Sequence, residues 1–154
     1  MNMRMILFWV VLQIPITGHC SEWIYVTRDT MGDEFFVDRA SFEQDEYKIF
    51  FRGLRNYSSP EKRFGSFSSV GKFEADCQTG GIRLHQFDYL SGKMGEGEVI
   101  NSFPITDREW FNPRQGTVGS KQLDIVCFEI GKICLLYTSP SPRDLSTSRM
   151  PSSA

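Results

Sequence analysis

The chain has 154 residues, a formal net charge of −2 and an aromatic content of 14%. That length suits one domain with removable ends. Lys and Arg are scattered, with Lys62-Arg63 the one adjacent pair, so neither the basic footprint of a nucleic-acid-binding protein nor a segment held on an anionic membrane is implied.

Arg4 precedes an apolar run, Met5 to Ile16, broken only by Gln13 and Pro15. The run is shorter than the roughly 20 apolar residues that span a bilayer. Thr17, Gly18, His19 and Cys20 follow. The pattern predicts a signal peptide over residues 1–20, with Gly18 and Cys20 at the two small-residue positions before cleavage. A lipid anchor at Cys20 is the competing reading. It wants a small residue before the cysteine, and His19 stands there, so it is not expected. Both readings place the domain in an oxidising compartment, either the periplasm or the cell surface and medium. No membrane-spanning segment is expected in the mature chain.

At the other end, residues 134–154 shift abruptly to Ser and Pro. The first eleven, Cys-Leu-Leu-Tyr-Thr-Ser-Pro-Ser-Pro-Arg-Asp, resemble the in-frame translation of a transposase-type sequencing adapter. The last seven, Ser-Arg-Met-Pro-Ser-Ser-Ala, resemble the flow-cell end of the same adapter, and the three between fit a short index. Residues 134–154 are therefore read as a non-native, disordered tail and set aside. The natural domain is expected over residues 21–133. Of the 4 cysteines, Cys77 and Cys127 then remain. Two cysteines allow one internal pairing, so a structural disulfide is predicted, with free thiols as the alternative. Their separation excludes a Cys-x-x-Cys redox motif.

In chain order, Trp23–Thr27 is aromatic and β-branched and predicts a strand. Asp29–Asp33 predicts a turn and Glu34–Val37 a second strand. Asp38–Glu43 predicts one helical turn capped by Asp38. Tyr47–Tyr57 predicts a third strand. Phe64–Cys77 predicts a fourth, with Phe67, Phe73, Ala75 and Cys77 on the core side and Ser66, Ser68, Lys72, Glu74 and Asp76 on the other. Val70 breaks the alternation. Ile82–Leu90 and Glu98–Phe103 predict a fifth and a sixth strand around the glycine-rich turn Ser91–Gly97. Residues 104–116 predict an irregular connection. Val118, Leu123, Val126 and Cys127 lie close to helical spacing, predicting a helix over Val118–Cys127. The fold class is α+β: an antiparallel sheet of about six strands with a C-terminal helix packed on one face and one disulfide.

No constellation points to catalysis, a cofactor or a metal. His85 is the one histidine left after the signal, and triads and histidine metal sites need partners that are lacking. Gly92, Gly95 and Gly97 precede a strand rather than a helix, so a hairpin turn is expected, not a phosphate cradle. Asp29, Asp33 and Glu34 lack calcium-loop spacing and predict a solvated turn. Asp45-Glu46 point to opposite faces if extended, poor geometry for paired acid–base work. Asn56-Tyr57-Ser58 fits the short glycosylation pattern. Aromatics exceed what one sheet face needs. One of Phe35/Phe36 and one of Phe50/Phe51 must lie off the main core. A second buried face or a homodimer contact explains this as well as a partner-binding surface.

The ordered motifs are Trp23, Phe35-Phe-Val-Asp-Arg-Ala-Ser41, Leu54-Arg-Asn-Tyr57, Ser68-Ser-Val70 and Phe73-Glu-Ala-Asp-Cys77. They continue with Leu90-Ser-Gly-Lys-Met-Gly-Glu-Gly97, Trp110–Pro113 and Cys127. Together these resemble the bacterial surface-adhesin protein E-like family over residues 22–128. The resemblance implies an exported Gram-negative protein with an antiparallel sheet, a packed helix and a disulfide between the two cysteines. It also implies a non-enzymatic role in adhesion to extracellular-matrix and serum proteins such as laminin, vitronectin and plasminogen. It assigns no binding residue here, because adhesion is a property of sites and not of the fold. A periplasmic or secreted module that binds a small ligand or supports an envelope assembly is the alternative.

Overall fold

A computed structural model describes residues 20–137, with side-chain surroundings as far as Glu129. The expected signal peptide, up to His19, and residues 138–154 of the expected tail lie outside the described residues. Aromatic and β-branched residues fit a pleated, half-buried surface, and six such segments pair in chain order. They are β1 (Trp23–Arg28), β2 (Glu34–Asp45), β3 (Lys48–Asn56), β4 (Ser68–Asp76), β5 (Gly81–Leu90) and β6 (Val99–Pro104). All neighbours are antiparallel, in the order β1-β2-β3-β4-β5-β6. One helix, α1 (Val118–Tyr137), packs across β1–β4. The predicted fold class is the observed one. Among the described residues no helix is long and apolar enough to cross a membrane.

The register sets the core. Val37 pairs with Gly53, Ile49 with Ala75, Phe51 with Phe73, and Ala75 with Ile82. These residues share one face of the sheet, because direct cross-strand partners point the same way. Val126 of α1 closes over them, fully buried, with Leu123 and Ile125 beside it. Phe51 and Phe73 stack with centroids 5.4 Å apart. The helix begins at Thr117, whose Oγ1 accepts the Ser120 N–H and whose carbonyl accepts the Lys121 N–H. Beyond the helix, Phe64, Tyr89 and Phe103 form a second cluster over β5 and β6, with centroid separations from 4.8 to 6.0 Å.

Four expectations need correction. Asp38–Glu43 is not a helical turn but part of β2, where the register slips between Asp38 and Glu43. Asp38 is a good local acceptor, and here it takes the N–H groups of Glu22 and Ala40 rather than those of a helix. The fourth strand starts at Ser68 and not at Phe64. The Glu61 carboxylate accepts the N–H groups of Arg63 and Phe64 and bends that stretch into a turn. Cys77 lies on the helix side of the sheet, but it is exposed, one residue past the end of β4, rather than buried in the core. Finally, α1 runs ten residues beyond Cys127 and four into the stretch read as tail. Cys134, Leu135, Leu136 and Tyr137 carry no helix breaker, and the chain reaches Pro140 only later.

Candidate functional site

The helix covers one face of the sheet, so the other face decides what the domain can meet. At one end that face is closed by the glycine-rich turn. Ser68 Oγ donates to the Gly92 carbonyl and accepts the Gly95 N–H. Asn56 Oδ1 accepts the Met94 N–H. Gly95 has φ 76° and a Cβ there would lie 3.3 to 3.6 Å from Val70, Trp23 and Leu54. The glycine lets the turn lie flat on those side chains, and Leu54 is only 1% exposed. The turn joins β5 to β6, as the hairpin reading predicts, and lies over the sheet as a cover.

Beside this cover, two cross-strand rows stay open. One runs Asp38, Arg52, Lys72 and Gln86; the next runs Glu43, Phe50, Glu74 and Arg83. Asp38 is fully buried and receives the Arg52 guanidinium. Arg52 also donates to Ser21 Oγ at 2.9 Å and lies over the Trp23 ring. Glu74 lies on the face opposite the helix, as the alternation predicts, yet it is only 1% exposed. It accepts Arg83 Nε at 2.6 Å, pairs with His85 Nε2 at 2.8 Å and faces Lys48 Nζ at 3.7 Å. Burial pushes the Glu74 carboxyl up, but the hydrogen bonds from Arg83 and His85 and their charges outweigh it and hold it below the usual range. Arg83 stacks on Trp110 at 4.4 Å, and Phe50 leans on His85 at 5.9 Å.

Between the rows lies a cleft of about 510 Å³, lined among others by Ser41, Glu43, Phe50, Arg52, Lys72 and His85. Lys72 has no ion-pair or hydrogen-bond partner among the described residues, and it sits directly across from Arg52. Like charges placed directly opposite on a sheet repel. The cleft therefore offers a free cation beside an exposed ring. The Ser41 hydroxyl in its wall is already engaged: it donates to the Asp38 carbonyl and accepts the Arg52 N–H.

The residues singled out in the sequence divide clearly. Cys77 and Cys127 are joined, with Cα atoms 5.7 Å apart, tying the end of β4 to α1. Cys20 is free and exposed at the rim of the cleft. His85 belongs to the Glu74 cluster. Asp33 is not solvated: it is 4% exposed and bound by Arg55 Nε at 2.9 Å and by the Ser58 N–H at 2.7 Å. Burial raises its pKa, and these bonds more than reverse that. No metal-holding cluster occurs among the described residues. Asn56 spends its amide on Glu34 and Met94. Of the two Phe pairs, Phe51 is buried and Phe50 is 36% exposed, as opposite orientation demands. Arg52 and Lys72 were not singled out. Their signal was faint, because only the strand register makes neighbours of two basic residues far apart in sequence.

The family model for surface-adhesin protein E matches residues 23–128. Solved structures of Haemophilus influenzae protein E share the fold. Crystal form II has 16% identity and a TM-score of 0.56, covering 77% of this chain and 96% of that one. A second structure of the same protein has 17% identity and a TM-score of 0.55, covering 77% and 93%. Its selenomethionine form has 15% identity and a TM-score of 0.53, covering 71% and 89%. No curated protein matches the chain by sequence. Since the family match spans from the start of β1 to the turn of α1 just past Cys127, the chain belongs to the surface-adhesin protein E family.

Proposed function

We propose that this chain is an exported, non-enzymatic domain of the Gram-negative cell envelope that binds a host or matrix protein through the helix-free face of its sheet. The observation that carries the reading is the cleft beside Phe50 and the unpaired Lys72. An exposed ring next to a free cation and buried, fully paired charges is the anatomy of a binding centre: a few anchors on a rigid support. Export is supported by the signal-like residues 1–20 and by a disulfide that needs an oxidising compartment. Family membership supports adhesion.

The test uses surface plasmon resonance of the oxidised chain over immobilised laminin, vitronectin and plasminogen. Binding to at least one is expected. Phe50→Ala combined with Lys72→Glu weakens it about ten-fold, the loss of one interface anchor. Unchanged binding by the double variant refutes the assignment of this face. Cell fractionation tests the location: a protein found only in soluble periplasm, never at the surface, refutes adhesion and leaves the envelope-support alternative.

A further inference from the structure

The opposite face holds a second, smaller cavity at the seam where the first turn of α1 meets the sheet. Its volume is about 160 Å³, and Phe35, Phe73, Phe87 and Val118 form most of its wall. Its floor is glycine. Gly53 pairs directly with Gly71, and a Cβ on either would stand 2.9 or 2.5 Å from the Phe73 ring. The missing side chains let that ring lie flat on the strands, where it and Gly53 line the cavity.

Gln122 closes the cavity from the helix. It is 6% exposed, and its Nε2 lies 3.0 Å from where a Gly53 Cβ would be. Its side-chain amide has no hydrogen-bond partner among the described residues. Ser66 Oγ is the only sealed side-chain polar atom without a partner among those residues. The Gln122 amide therefore keeps a path to solvent, and the cavity it lines supplies one. A ligand group that pairs with the amide replaces that solvent contact inside an apolar wall, where a hydrogen bond is stronger than in water. The cation nearby is already spent, because Arg55, at the edge of the cavity, holds Asp33 at 2.7 Å and Asp29 at 3.6 Å, which leaves the group net negative.

We propose that this cavity binds a small uncharged aromatic molecule. Its ring packs among Phe35, Phe73 and Phe87, and one carboxamide or hydroxyl group pairs with the Gln122 amide. The volume suits a single ring: an apolar cavity of about 150 Å³ accepts benzene. The amide selects a neutral polar substituent, and the two carboxylates on Arg55 disfavour an anionic one. The site is independent of the partner-docking reading, since it lies on the other face.

The probes are benzamide, toluene and benzoate, added to the oxidised ¹⁵N-labelled chain and followed by amide chemical shifts. Benzamide is expected to give saturable shifts at the Gln122 side chain, Gly53 and Val118, with a Kd of about 1 mM for so small a ligand. Benzoate binds more weakly. Gln122→Leu weakens benzamide about five-fold, the value of one neutral hydrogen bond, and does not weaken toluene. If that variant fails to fold, Val118→Trp at the cavity wall serves instead and abolishes the benzamide shifts. Phe50→Ala with Lys72→Glu leaves benzamide binding unchanged, which separates the two sites. No saturable shift at Gln122, or equal benzamide affinity in Gln122→Leu, overturns the proposal and leaves a cavity that holds water only.

Discussion

Replacing Cys77 and Cys127 together by serine tests how the fold divides its stability. The bridge closes a loop with a sequence separation of 50. In the chain-entropy model, opening a loop of that length returns about 4 kcal/mol to the unfolded state at 25 °C. The Cys77 side chain adds little packing of its own, because it is exposed and beyond the strand end. The full effect is therefore expected through the unfolded chain. A stability of about 5–15 kcal/mol is typical for a domain, so the double variant is expected to stay folded but far weaker. Urea unfolding of the oxidised protein and the variant measures this. The expected result is an extrapolated stability lowered by about 4 kcal/mol, with a steeper m-value, since the unlinked chain exposes more surface on unfolding. A loss below about 1 kcal/mol refutes the reasoning. It would mean that the unfolded state stays compact without the bridge.

Glu74→Gln is expected to cost about 2 kcal/mol at neutral pH. That is below the full penalty for breaking a buried pair, because Arg83 and His85 keep some solvent; chemical unfolding measures it. The folded-state pKa of Glu74 is lowered from 4.5. Its contribution is complete above about pH 4.5 and disappears as pH falls through the folded value, so the acid side of the stability profile flattens in Glu74→Gln; an unchanged acid limb refutes this. Gly71→Ala is expected to cost about 2 kcal/mol by overpacking, because its Cβ would meet the Phe73 ring at 2.5 and 2.7 Å; thermal melting measures it. Phe50→Ala is expected to cost about 1 kcal/mol, well below the roughly 3–5 kcal/mol of truncating a core Phe, because its side chain is partly exposed; a loss of core size in the same melt would make it a core residue and remove it from the docking face.

Period-two spacing was enough to place Phe73 and Ala75 toward the helix and to count six strands, because strand alternation is a local property. It also pointed Cys77 correctly to the helix side, since Cys127 bonds it there. It could not tell that β4 ends one residue earlier, which leaves Cys77 exposed. Where burial departs from what residue type suggests, a distant partner is the cause. Glu74 reads as solvated by its type, and it is buried because Arg83 and His85 arrive on β5. Asp33 reads as a turn residue, and it is buried because Arg55 and Ser58 arrive from the far end of β3. The β2 irregularity was illegible for the same reason: Asp38 holds Glu22 and Arg52, which are neighbours only in the folded sheet. The cleft shared this fate, as its lining comes from β2, β3, β4 and β5.

The two faces of the sheet carry different loads, and this follows from where the charges are spent. On the helix side, apolar contacts around Val37, Phe51 and Val126 do most of the stabilising. On the open side, Asp38 and Glu74 are buried and each holds its cations. An unpaired carboxylate there would be costly, so Arg52 and Arg83 are structural as well as exposed. Phe50 and Lys72 carry no such duty: the ring is partly solvated and the ammonium is unpaired among the described residues. Substitutions at Phe50 and Lys72 are therefore the ones that can change what the face binds without loosening the sheet beneath it. Substitutions at Arg52 or Arg83 disturb both together, because each leaves a buried carboxylate behind. A binding screen that compares Lys72→Glu with Arg83→Glu separates these cases. The first is expected to alter binding at constant melting temperature, and the second to lower both; a Lys72→Glu protein that melts as early as Arg83→Glu would show that the cleft itself helps hold the fold.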